Sequence, residues 1–162
     1  MIRLPFSPGP LLLPAGVLLA SLLLASARRR FQRRWAPVAA RYPYPTIPPS
    51  APNPERFART YCLIQWGKSP PFAGRFTVTT TPTGVALQPE LWYTGLPTAW
   101  LPWSALATCE PTSRLLARAL APGLRLQLSD AVGWIQVDDP AGHRLYRSWR
   151  AQRGPRPRPA AG

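Results

Sequence analysis

The chain has 162 residues, a formal net charge of +14, one histidine and two cysteines. That length leaves room for one small domain, and so few His and Cys exclude a zinc cluster of C-x-x-C or H-x-x-x-H spacing. The charge sits at the two ends. Residues 1–41 hold seven arginines and no acid, and residues 142–162 hold six and no acid. The middle balances six arginines and Lys68 against six acids, a net of +1. Basic ends around a near-neutral domain suit an anionic lipid surface, where each basic residue contributes about 1 kcal/mol. No nucleic-acid partner is expected, because that would need a charged face on the folded part.

The chain opens on its most informative junction. Seventeen uncharged residues, Leu11–Ala27, run directly into Arg28, Arg29, Arg30, Arg33 and Arg34. As a helix this run rises roughly 25 Å against a hydrocarbon core of about 30 Å. It reads as a transmembrane helix over 11–27, preceded by a short segment (1–10) that Pro5, Pro8 and Pro10 keep non-helical. The five arginines place the following residues on the cytoplasmic side and the N-terminus outside. A signal peptide is the alternative: Arg3 gives a positive start and Ala25-Ser26-Ala27 a cleavage pattern. Arginines just past that site oppose export.

Residues 28–41 extend as a basic juxtamembrane helix with Phe31, Trp35 and Val38 on one stripe, and Pro37 is expected to break or kink it. Arg28, Arg29, Arg30, Arg33, Arg34 and Trp35 are the expected lipid contacts, Trp35 as an interfacial aromatic. Residues 42–55 (YPYPTIPPSAPNPE) form a Pro-rich linker, read as an extended spacer. From 56 the pattern is β. Strands are expected at 59–67, 75–80, 85–91, 99–106, 107–110, 124–128 and 134–137, separated by turns such as Thr81-Pro82-Thr83-Gly84. Pro102 implies an edge or bulge. Residues 113–121 are ambiguous between a helical turn and a loop. Asp139 and Pro140 look like a helix start, with Leu145 and Trp149 on the buried side of a helix reaching Gln152. A basic tail, 153–162, lacks anything to pack and is expected to be disordered. The domain is thus mainly β over 56–152, a small barrel of about seven strands closed by one C-terminal helix.

The hairpin TPTGVAL followed by Trp100-Leu101-Pro102-Trp103-Ser104-Ala105-Leu106 resembles a signature of small bacterial membrane-anchored proteins of unknown function. These carry a pleckstrin-homology-like (PH-like) or GRAM-like domain. The segment WAPVAARYP is similar to the aromatic-rich helix before their first strand. The resemblance covers roughly residues 31–150 and implies a seven-stranded barrel capped by a helix, but no activity. Ala105 stands where the signature has an acid, and the Pro-rich linker is longer than usual. No basic cluster beyond Lys68 and Arg75 marks a lipid head-group loop between the first two strands.

Catalytic residues, cofactors and metals are expected to be absent. His143 reads as a surface or capping residue. Asp138 and Asp139 point apart on an extended chain, which is wrong for an acid/base pair. No nucleophile elbow or phosphate-cradling glycine loop occurs. Trp92 and Tyr93, beside Gly95, are the expected interaction surface. The reading is a non-enzymatic, single-pass protein of a bacterial inner membrane. It presents a PH-like interaction module to the cytoplasm, with the anionic lipid surface and another membrane or cytoplasmic protein as partners. The alternative is an exported β domain with a Cys62–Cys109 disulfide.

Overall fold

The computed structural model describes residues 9–45, 54–90, 93, 95–112, 123–130 and 132–153, with side chains of the first helix described from Gly16 onward. Helix α1 (Gly9–Arg41) is followed by β1 (Glu55–Trp66), β2 (Phe72–Thr81), β3 (Gly84–Pro89), β4 (Ala99–Pro102), a 3₁₀ turn (Trp103–Ala105), β5 (Leu106–Thr112), β6 (Gly123–Leu128), β7 (Gly133–Asp138) and helix α2 (Ala141–Arg153). The ambiguous segment 113–121, Trp92 and the tail from Gly154 lie outside the described residues.

All seven strands form one antiparallel sheet in the order β4-β3-β2-β1-β7-β6-β5. β1 is the shared strand. It pairs with β2 over Glu55–Ile64 and with β7 over Cys62–Trp66. β4 and β5 are the two outer strands, yet only Trp103–Ala105 separates them in the chain. Three residues span at most about 10 Å, so the two outer edges must meet at that corner. The sheet is therefore rolled into a half-barrel. The corner is built by the signature residues themselves. Pro102 ends β4, and the buried Trp103 donates its indole N–H to the Thr81 carbonyl at 3.1 Å. The Ser129 N–H then bonds the Ala105 carbonyl at 2.8 Å, fixing the β6–β7 turn against the corner.

Alternation decides which side chains fill the interior. Leu124, Leu126 and Leu128 of β6 point inward, as do Ile135 and Val137 of β7, Cys62 and Ile64 of β1, and Phe76 and Val78 of β2. Helix α2 adds Ala141, Leu145 and Trp149. The seven strands and closing C-terminal helix that the resemblance implies are present.

The core also receives a second helix. Phe31, Trp35, Val38 and Ala39 of α1 are buried in the same cluster. The stripe expected on residues 28–41 is real, but its partner is the sheet. Three expectations are corrected here. Pro37 does not end the helix, which continues to Arg41. The proline ring is exposed, and burial of Trp35 on one side and Val38 on the other outweighs the lost hydrogen bond, a cost of about 3 kcal/mol. Pro10 likewise sits inside α1, in its first turn, where a missing N–H is harmless. The linker, finally, does not separate helix from domain. The Trp100 N–H donates to the Tyr42 carbonyl at 2.8 Å and Pro43 bridges to Ala99, so the chain leaves α1 along the free edge of β4. Residues 46–53 lie outside the described residues.

Among the described residues no helix is long and apolar enough to cross a membrane. The transmembrane expectation over 11–27 is not met there, since the apolar side chains described run only from Gly16 to Ala27, about 18 Å of helix rise.

Candidate functional site

Helix α1 changes character along its length. Val17, Leu18, Leu19, Leu22, Leu23 and Leu24 are all exposed, from 43% to 67% of their surface. These positions go right round the helix, and no described part of the domain covers them. An all-round apolar helix belongs in a protein core or in lipid. Exposed Arg28, Arg29, Arg30, Arg33 and Arg34 follow it. Phe31 begins the docked portion only four residues past Ala27, about 6 Å of rise.

Trp35, expected at the lipid surface, is fully buried, and its indole N–H donates to the Pro97 carbonyl at 2.7 Å. Its ring lies 5.1 Å from that of Phe76. A large aromatic with a satisfied donor is a core residue, so Trp35 leaves the set of lipid contacts. Tyr93, expected at an interaction surface, stacks its ring on Phe31 at 3.8 Å and is half-buried against the core. The Phe31 ring also packs against Phe72 and fills the space above Gly74.

The far end of α1 is tied down by polar contacts. The Tyr42 hydroxyl donates to Asp130 Oδ2 at 3.0 Å, and the Arg41 Nε donates to the same oxygen at 3.4 Å. Burial first, then the Asp130 carboxylate, pushes the Tyr42 phenol up to about 12, so it stays a neutral donor. Burial alone would raise Asp130, but the Val132 N–H, the Tyr42 hydroxyl and Arg41 together hold it below the usual carboxylate range.

Both cysteines are buried and neither is in a disulfide. They lie on β1 and β5 with β7 and β6 between them, about 14 Å measured along the rolled sheet at roughly 4.8 Å per strand. A disulfide needs Cα atoms within about 7 Å, so the Cys62–Cys109 bridge of the exported reading has no geometry. Burial pushes the Cys62 thiol well up, the opposite of an activated nucleophile. His143 is exposed at the start of α2, and its backbone N–H bonds Asp139 Oδ1 at 2.9 Å, which makes Asp139 the cap residue expected from the sequence. Among the described residues no His, Cys, Asp and Glu group could hold a metal ion.

Sequence reading missed a groove lined by Phe57 to Tyr61, Arg75 and Asp138 to Pro140. Burial and the neighbouring Asp139 raise Asp138 above the usual carboxylate range. A raised value in the fold means that ionised Asp138 destabilises it at neutral pH, a cost that disappears as the pH falls through that value. Asp138→Asn should therefore raise Tm at pH 7, with the gain shrinking in acid. Thermal melts across pH 3–7 check this, and a loss of stability at pH 7 would show that the carboxylate is held by favourable contacts.

No protein-family model matches the sequence, and no curated protein does. Solved structures show loose likenesses to the chain. The Vps36 N-terminal PH domain superimposes with a TM-score of 0.44 at 17% identity, over 69% of this chain and 89% of that one. A chain of the 8S snRNP assembly intermediate gives 0.45 at 12% identity, over 72% and 95%. Both likenesses are too loose to carry a ligand, a partner or an activity across, and the fold rests on the strand order itself.

Proposed function

We propose that the protein is a non-enzymatic, membrane-attached interaction module: a PH-like half-barrel held against a lipid surface by α1. The single observation behind this is the unpartnered apolar half of α1, Val17 to Leu24, set directly before an exposed arginine cluster. Apolar side chains exposed on every side of a helix are unfavourable in water by about 25 cal/mol per Å². Lipid removes that cost, and the arginines meet the head groups. With Leu11 to Leu13 added from the sequence, the run extends toward spanning length. The positive cluster favours a cytoplasmic domain at a bacterial inner membrane.

Because Phe31 docks so close to the apolar run, this reading places the half-barrel at the membrane surface with no stalk. The full chain should float with phosphatidylglycerol-containing vesicles in a density gradient and stay with them in 1 M salt. The variant Leu18→Arg with Leu22→Arg changes only exposed positions, and each arginine costs about 2.5–3.5 kcal/mol in a bilayer centre. That variant should fold and stay at the bottom of the gradient. A wild-type chain that also stays at the bottom overturns the reading. A reporter fused after Gly162 and active only in the cytoplasm supports the sidedness; activity outside reverses it.

A further inference from the structure

A groove of about 460 Å³ opens where β1 and β7 part. Their ladder ends at Cys62↔Val137, so Tyr61 and Asp138 are no longer paired. On the other side β1 bulges between Phe57 and Thr60, which turns Arg59 to a φ of +56°, rare for any residue but glycine. Glu90 holds it there. Its two carboxylate oxygens accept the Arg59 N–H at 3.2 Å each, and it also accepts the Thr77 hydroxyl. The Glu90 N–H in turn bonds the Arg75 carbonyl at 2.9 Å. Strain held in place by several contacts is the pattern of a position shaped for binding.

Two exposed arginines, Arg59 at the bulge and Arg75 on β2, line the groove. Asp138, Asp139 and Tyr61 line the same groove. Among the described residues neither arginine makes an ion pair, and Asp138 Oδ1 is buried without a hydrogen-bond partner. The lining carries both charges, yet no ion pair joins them among the described residues. A polyanion would meet the carboxylates, and a simple cation would meet the arginines. A ligand with one anionic and one cationic group satisfies both. Carboxylates hydrogen-bond a primary ammonium, whereas a quaternary one wants an aromatic cage. Only Phe57 and Tyr61 are aromatic here.

Arg75 follows Gly74, whose inner side meets the Phe31 ring, so alternation turns the Arg75 side chain and the groove to the outer face of the sheet. We infer that this groove takes a phosphoethanolamine head group, its phosphate between Arg59 and Arg75 and its ammonium on Asp138, while Asp139 stays the cap of α2. That the head group belongs to a membrane lipid rests on the membrane reading above; the recognition chemistry does not.

The test is calorimetric titration of the full chain, in neutral detergent micelles, with glycerophosphoethanolamine, glycerophosphocholine and inorganic phosphate. Glycerophosphoethanolamine should bind at least tenfold more tightly than the other two. Arg59→Gly, which suits a positive φ and so keeps the fold, should weaken it tenfold or more, as should Asp138→Asn. Equal binding of the choline compound or of phosphate alone overturns the inference. If none of the three binds while the chain still floats with vesicles, the groove assignment fails and membrane attachment stands. If the soluble head group binds and the chain does not float, the groove stands and the ligand is a free phosphodiester. Competition by phosphatidylethanolamine vesicles, and not by phosphatidylcholine vesicles, identifies the lipid as the source.

Discussion

Trp35→Ala should cost the fold about 3–5 kcal/mol and leave the purified protein largely unfolded in modest urea. The side chain is completely buried, donates to the Pro97 carbonyl at 2.7 Å and packs its ring against Phe76 and Phe31. A domain of this size is stable by about 5–15 kcal/mol, so one such truncation removes a large part of the total. The sheet cannot collapse onto the vacancy, because Val38 and Ala39 hold the helix off it on the next turn. Trp35→Phe fills most of the volume and loses the hydrogen bond, so it should cost clearly less. Urea titration of the three proteins gives the ordering. If Trp35 instead served a lipid surface, both variants would melt like the parent and differ only in vesicle binding.

The same residue shows how far the sequence could be read. That Phe31, Trp35 and Val38 share a helical stripe follows from their spacing alone. What the stripe faces does not, because an aromatic row on an arginine-rich helix looks the same against lipid as against a sheet. The decision is made by residues far away in the chain: Pro97, Phe76 and Tyr93 form the socket. The strands were more legible, since alternation is local. Leu124 to Leu128 shows it without interruption, and its inward leucines are those that are buried. The strand expected over 99–106 stops at Pro102, and the one expected over 107–110 runs from Leu106 to Thr112. Pro102 and Trp103 turn the chain by a corner that only the rolled sheet requires.

The groove was not legible at all. Neither Arg59 nor Ala58 carries a turn signature, and the bulge is imposed by Glu90, thirty-one positions on. Asp138 and Asp139 were visible as a pair, but their meeting with Arg59 and Arg75 depends on β1 being shared by both halves of the sheet. Charge balance over the middle of the chain concealed this, because a net of +1 says nothing about how the opposite charges are sorted in space.

Gly133→Ala should destabilise the domain strongly, by about 3 kcal/mol. A Cβ there would lie 2.1 Å from the Gln65 carbonyl oxygen and 3.3 Å from the Trp66 Cα, both backbone atoms that cannot swing aside. Only relaxation of the β1–β7 ladder relieves the clash. That ladder is the one junction between the β4-β3-β2-β1 and β7-β6-β5 parts of the sheet, and it spans just Cys62–Trp66. Parting the strands at Trp66 also disturbs their separation at Tyr61, so loss of stability should be accompanied by weaker filling of the groove at the other end. Gly16→Ala is the natural control. Nothing lies within 4 Å of its Cβ position on the helix, and alanine favours a helix over glycine by about 1 kcal/mol, so its melting temperature should hold or rise. Equal melting of the two variants would mean that β1 and β7 are not as closely paired as Gly133 requires.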